Sequence, residues 1–395
     1  MLGVTSVKNY YVLSNGRVRR ESNTLYIETA DGAKKPLPVE DVESLYVYGE
    51  VDINTKLLNF LSQKRIPLHV FNYHGFYSGS YYPREYLHSG YLLVQQVQHY
   101  QDAEKRLALA REIVRGSAHS LLRNIAYYDR RRPGTAAERE PEGEIGNAEL
   151  PGDPETEAAV DAALDDPSVD TNFQADDDLD PLESSLTLND DAPSLGQIRA
   201  TVTALAALIG AQTHVNAVRG VEGKMRERYY QAWRHILSSE WLFERRVRRP
   251  PDNEVNALIS FGNSVLYTTC LGEIYRTQLT PTISYVHEPG ARRFSLALDL
   301  SEMFKPLIVD RAIFRLINTG QLDASHFDKS MDGCFLTDAG KRLFLRSLED
   351  RLATIIKHRR LGRHVTYRHL IRLECYKLVR HLTDVEPYRA FRAWW

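Results

Sequence analysis

LALAREIVRGSAHSLLRNI, residues 107–125, sets Leu107, Ala110, Val114, Ala118, Leu121 and Ile125 three or four positions apart. That spacing is one stripe of a long helix, ending near Arg130-Arg131-Arg132-Pro133. What precedes it has a different period. The runs YYVL, RVRRE and TLYIET are separated by Asn15-Gly16 and Ser22-Asn23 and followed by Asp31-Gly32, dipeptides that supply the positive φ of tight reversals. SLYVYG and PLHVFNY continue the strand series around a short amphipathic stretch, NTKLLNFLSQKR, with Asn54 or Thr55 as its cap. The change of period after Pro83 predicts an α+β chain, with a small N-terminal β domain over residues 1–85 and a larger all-α domain over 86–395.

Working outward, Glu138 to Asp191 holds 19 acidic side chains against one arginine, a local charge of −18 in a chain of formal charge −2, so the rest of the molecule carries +16. A basic body favours a polyanionic partner, most simply nucleic acid, over a small neutral substrate. The acidic stretch is rich in Pro, Gly and Ala and nearly free of aromatics. It cannot bury enough apolar surface to offset an ordering cost of about 1–2 kcal/mol per residue, so residues 138–191 are expected to form a largely disordered insert in the helical domain. Helical periodicity resumes near Ser194 and runs through TVTALAALIGAQTHV, EVNALISFGNSVLYTTCLGEIY and KPLIVDRAIFRLIN to HVTYRHLIRLECYKLVRHL.

The 395 residues are enough for two ordinary domains with cores of their own. Cys270, Cys334 and Cys375 are widely spaced and odd in number, which argues against a disulfide framework or a zinc-thiolate site. No apolar run approaches the roughly 20 residues that span a bilayer, and MLGVTSVKNYYVL lacks the features of a secretory signal. A soluble, cytoplasmic protein with no membrane partner is expected.

Three residues carry the chemistry. Glu222 lies between Gly220 and Gly223 in an otherwise helical stretch, and each glycine there costs about 1 kcal/mol relative to alanine, so something is expected to approach that backbone closely. His287 precedes Glu288-Pro289-Gly290, a turn signal that holds its imidazole at the end of a helix or loop. Asp299 and Glu302 are three apart and share one helical face. Singly, each has a bland reading as a solvated glutamate, a capped histidine or a charge favouring a helix dipole. Together, Glu222, His287 and Glu302 make a hard-leaning donor set for one Mg²⁺ or Mn²⁺ ion, the kind that draws phosphate oxygens together. Arg292 and Arg293 are placed to clamp a phosphate, and the runs Arg245-Arg246-Val247-Arg248-Arg249 and Lys357-His358-Arg359-Arg360 to follow a DNA or RNA backbone. A solvated turn is the alternative for Arg292 and Arg293, and a plain basic surface for the two runs.

VEGKMRERYY, NALISFGNSVLY, YVHEPG, SLALDLSEMFKPLIVDR and the closing RLECYKLVRHL and YRAFRAWW together resemble the CRISPR-associated integrase family, the larger of the two near-universal spacer-acquisition proteins. The resemblance covers nearly the whole chain outside the insert. It implies that the β domain dimerises, that the helical domain is catalytic, and that two homodimers sit on one dimer of a small ferredoxin-like second adaptation protein. It implies Glu222, His287 and Glu302 as catalytic metal ligands, Asp299 as a further acidic position near the metal, and Asn256 as a supporting residue behind it. RGSAHSLL lacks a lysine and an asparagine that many relatives show, and the acidic insert has no counterpart in the compact family pattern.

The expected activity is that of a divalent-metal-dependent DNA endonuclease/integrase. It joins short foreign segments to a repeat array in double-stranded DNA, with a 3′-hydroxyl as nucleophile and a 3′-oxygen as leaving group. A structure-selective repair nuclease using the same residues and a non-catalytic basic DNA scaffold are the competing readings.

Overall fold

The computed structural model describes residues 8–29, 32–83, 87, 89–130, 192–248, 250–289, 294–330, 333–358 and 361–394. The insert 138–191 and the side chains of Arg249, Arg292, Arg293, Arg359 and Arg360 lie outside them.

The N-terminal strands form two four-stranded sheets. The first orders β1 (Lys8–Val12), β5 (Val42–Val47), β7 (Leu68–Phe71) and β8 (Tyr77–Tyr81), the first three parallel and β8 antiparallel to β7. The second orders β4 (Lys34–Pro38), β3 (Thr24–Thr29), β2 (Gly16–Glu21) and β6 (Val51–Asp52). Ser22, at φ 54°, turns β2 into β3. Gly16 is required where it stands, since a Cβ there would lie 2.1 Å from the Glu28 carbonyl oxygen. Helix α1 (Thr55–Lys64) is capped by Asn54, whose side chain accepts from the Leu57 N–H at 3.0 Å. Leu57, Phe60 and Leu61 of α1 share a small core with Val18, Leu25, Leu45 and Leu68.

β5 is buried on both faces, as a central parallel strand should be. Leu45 and Val47 face the small core, while Tyr46, with Tyr48 just beyond the strand, joins the much larger helical core. That core is built on α2 (Gly90–Gln101), α3 (Ala103–Arg130), α4 (Leu195–Ala207), α5 (Val215–Ile236), α6 (Glu254–Tyr275), α7 (Ser295–Lys305), α8 (Arg311–Asn318), α9 (Asp338–Ala353) and α10 (Tyr367–Leu382). The chain is thus α+β, a β region followed by a mostly helical remainder. Helix α6 is apolar on nearly every side and buried accordingly. Its Phe261 meets Tyr48 at 5.5 Å, and its Thr269 hydroxyl lies 3.5 Å from that of Tyr46. Glu43 of β5 is clamped by Arg276, Arg368 and Arg372, a buried ionic seam between the β region and the helices.

Three features depart from the sequence expectation. KPLIVDRAIFRLIN is not one helix: a π-helical turn, Pro306–Asp310, joins α7 to α8. His364–Thr366, expected at the start of a helix, is instead β12, paired with β11 (Ile355–Lys357), and α10 begins only at Tyr367. A second ribbon, β9 (Phe327–Ser330) with β10 (Gly333–Leu336), precedes α9.

Candidate metal and DNA site

Helix α5 carries Glu222 and, one turn on, Arg226; α7 carries Asp299 and Glu302; the loop between α6 and α7 carries His287. Close packing of α3 against α7 sets the spacing. A Cβ on Gly116 would lie 2.8 Å from Met303 Sδ, next to Glu302 in the chain, and the Ser117 hydroxyl donates to the Glu302 carbonyl at 3.5 Å.

The loop is fixed by Asp299, which is fully buried. Asp299 Oδ2 accepts from the backbone N–H groups of Tyr285 and Val286 at 2.7 and 3.0 Å. Its Oδ1 accepts from the His287 N–H at 3.0 Å and from His287 Nδ1 at 2.8 Å. Both oxygens are therefore committed to the loop, each accepting two hydrogen bonds, and one of them holds the His287 ring. Beyond His287, Glu288 pairs with Arg106 at 2.7 Å and accepts from the Tyr100 hydroxyl at 3.0 Å, which anchors the far side of the loop.

Glu302 has one carboxylate oxygen on Arg226 and the other on Lys305. Burial works to raise its pKa, but Lys305 and Arg226 outweigh it and hold the group down at about 2. Glu222, half-buried, makes no hydrogen bond or ion pair among the described residues; burial first and Glu302 second push its carboxyl up to about 7. His287 is also shifted up, burial being outweighed by the Asp299 hydrogen bond and by the charges of Asp299, Glu222 and Glu302. The three predicted ligands thus sense one another's charge. Among the described residues no three His, Cys, Asp or Glu side chains are placed to enclose an ion as they stand, and the Glu302 carboxylate is occupied by Arg226 and Lys305. The donor chemistry still fits a hard divalent ion: a carboxylate without a hydrogen bond or ion pair among the described residues, an imidazole whose Nδ1 is tied to a carboxylate so that Nε2 is the nitrogen left to donate, and a second carboxylate charged at neutral pH.

Behind the site, Asn124 donates to the Tyr229 hydroxyl at 2.6 Å, and that hydroxyl donates to Asp310 of the π-helical turn at 2.9 Å. Burial pushes the Asp310 carboxyl up to about 7.

Other expectations are corrected. Nothing approaches Gly220 or Gly223: a Cβ at either meets open space. Glu222 lies in an uninterrupted helix, with those glycines on its exposed side. Asn256 is buried and pins the preceding loop, accepting from Arg246 Nη1 at 2.9 Å and the Val247 N–H at 3.2 Å and donating to the Arg245 carbonyl at 2.9 Å. Arg246 is turned inward onto Asn256 and Ser260 and is not part of a free basic surface, whereas Arg245 and Arg248 are exposed. Arg226 and Lys305 were not anticipated. Their only signal is spacing, four residues after Glu222 and three after Glu302.

A sequence profile of the family described as "CRISPR associated protein Cas1" matches residues 10–149 and 184–350, leaving out 150–183 inside the acidic stretch. The chain is 39% identical to a CRISPR-associated endonuclease Cas1 of Thermodesulfovibrio yellowstonii over 389 residues, covering 98% of this chain and 100% of that protein. It is also 39% identical to a CRISPR-associated endonuclease Cas1 of Clostridium perfringens, covering 98% and 99%. Among solved structures it resembles the Cas1 protein of Thermotoga maritima, with a TM-score of 0.73, 35% identity and coverage of 98% and 99%. A casposase bound to an integration product shares the fold, with a TM-score of 0.74, 17% identity and coverage of 97% and 93%. Matched over most of its length by the family profile and nearly end to end by relatives named as endonucleases, the chain belongs to the CRISPR-associated Cas1 family.

Proposed function

We propose that this chain is a divalent-metal-dependent DNA endonuclease/integrase that inserts short foreign DNA segments into a CRISPR repeat array by 3′-hydroxyl transesterification. The observation that carries this reading is an imidazole held by Asp299 within charge range of the Glu222 carboxylate, which makes no hydrogen bond or ion pair among the described residues. Glu222, His287 and Glu302 would hold a Mg²⁺ or Mn²⁺ ion. Such an ion polarises a phosphodiester and lowers the proton affinity of an attacking hydroxyl.

The chain's own groups do the positioning. Asp299 holds His287 through Nδ1, which would leave Nε2 as the nitrogen able to donate its electron pair. Glu222 would bind a cation as the charged carboxylate. Arg245 and Arg248, exposed beside the start of α6, are phosphate-contact candidates; Arg249, Arg292, Arg293, Arg359 and Arg360 share that role on sequence grounds alone. Double-stranded DNA is the substrate, and the working assembly is two homodimers on a small ferredoxin-like partner. Supporting the partner and the DNA are a structure of the same fold from a Cas6-RT-Cas1–Cas2 complex, with a TM-score of 0.70 and 16% identity, and the integration product held by the casposase.

The test combines purified protein, its candidate partner, Mg²⁺ or Mn²⁺ and a plasmid bearing a repeat array. Joined product that disappears on chelation of the metal supports the reading. Cleavage of branched DNA with no joining to the repeat would favour a repair nuclease instead.

A further inference from the structure

Glu302 carries a cation on each carboxylate oxygen. Its Oε1 is taken by Lys305 and its Oε2 by Arg226, and all three side chains are only 14–15% exposed. A carboxylate at that depth cannot be left without a counter-charge. The pair of cations on it sums to +2, the charge of the ion that the donor set fits. One turn before Arg226 on the same helix, Glu222 carries a carboxylate with no partner among the described residues.

We propose that Arg226 and Lys305 stand in for the divalent ion in the ion-free protein and, once an ion displaces them from Glu302, turn to the phosphate oxygens of the DNA. This rests on the metal-dependent reading above. A divalent ion beside Glu302 is repelled by the guanidinium and the ammonium already on it, so its entry drives at least one of them off the carboxylate. The released cation is then itself buried and needs another anion. Asp310 is the near alternative, but its Oδ2 already takes the Tyr229 hydroxyl, which Asn124 holds in turn. An incoming phosphodiester is the anion the proposed reaction brings. Guanidinium suits two of its oxygens at once, and the ammonium acts as a point charge. Metal and DNA therefore reinforce each other's binding, by the same factor in either order.

Isothermal titration of Mn²⁺ into the DNA-free full-length chain tests the first half. Lys305→Gln is expected to bind Mn²⁺ more tightly than wild type by about tenfold, the scale of one charge-assisted hydrogen bond. Arg226→Gln should shift the same way, and Lys305→Arg, which restores the cation, should return to the wild-type value. Unchanged or weaker Mn²⁺ binding by folded Lys305→Gln overturns the proposal, and since Lys305 is at the end of α7 this variant decides even if Arg226→Gln does not fold.

The second half is read from duplex DNA affinity with and without Mn²⁺. Wild type gains affinity on adding Mn²⁺, and Lys305→Gln keeps less than a third of that gain. A full gain in the variant overturns the phosphate role. The failure of the underlying reading looks different: Mn²⁺ then binds neither wild type nor Glu222→Ala.

Discussion

Asp299 spends two oxygens on four hydrogen bonds, three to backbone N–H groups and one to the His287 imidazole. Asp299→Ala leaves the buried N–H groups of Tyr285 and Val286 and the partly buried one of His287 without an acceptor, at about 1–3 kcal/mol each when no water replaces it. Thermal melts should show a clear loss of Tm, and Mn²⁺ affinity should fall by about 10–100-fold, the usual effect of removing the group that orients a metal-binding histidine. Unchanged Mn²⁺ affinity would mean that the ring does not need Asp299. Glu222 makes a pH prediction. Its carboxyl is raised to about 7 in the ion-free fold, against about 4.3 in an unfolded chain, so stability falls as pH climbs through that window and the penalty is complete above it. Glu302 behaves oppositely, its contribution being present above about 4.3 and lost as pH falls toward 2. Glu222→Gln should therefore melt above wild type at pH 8 with chelator, match it near pH 4, and fall below it at pH 8 with saturating Mn²⁺. Turn and helix spacing single out His287, Asp299 and Glu302 in the sequence, whereas the glycines flanking Glu222 mark no close approach in the fold. The Asp299 capture of the loop and the Arg226 bridge from α5 to α7 were not legible in the sequence, since both depend on segments far apart in the chain.

At the scale of elements, the contrast among glycines is informative. A Cβ on Gly262 of α6 would lie 2.6 Å from Val309 Cγ1 in the π-helical turn and 3.0 Å from Phe344 Cζ of α9, so its absence lets three elements cross closely. Gly262→Val should destabilise by about 1–3 kcal/mol through overpacking. Gly220→Ala, on an exposed helix face with open space around it, should stabilise by up to about 1 kcal/mol through helix propensity alone. Urea midpoints of the two variants moving in the same direction would contradict this account of the helical packing. Long helices such as α3 and α6 were legible because their apolar period repeats many times. The β9–β10 and β11–β12 ribbons were not: strands of three or four residues carry no period, and His364–Thr366 runs directly into a helix. The π-helical turn was invisible for a similar reason, its apolar residues fitting the helical pattern on either side.

Over the whole molecule, the +16 body and the −18 stretch at 138–191 set the electrostatics. A tethered polyanion competes with DNA for the same arginines, and the competition fades as the Debye length shrinks from about 10 Å at 0.1 M salt to about 3 Å at 1 M. Deleting residues 138–191 should tighten non-specific DNA binding at low salt and change little at high salt. Binding isotherms that overlay at every salt concentration would reduce the stretch to a spacer. The central claim is that Glu222, His287 and Glu302 act as one metal-holding unit for phosphodiester transfer. Its most direct measurement is strand transfer into a repeat-bearing plasmid at saturating Mn²⁺, alongside DNA affinity, for Glu222→Ala, His287→Ala and Glu302→Ala. The account predicts that each variant loses joining while binding DNA about as well as wild type; a Glu222→Ala protein that still joins DNA at saturating Mn²⁺ would contradict it.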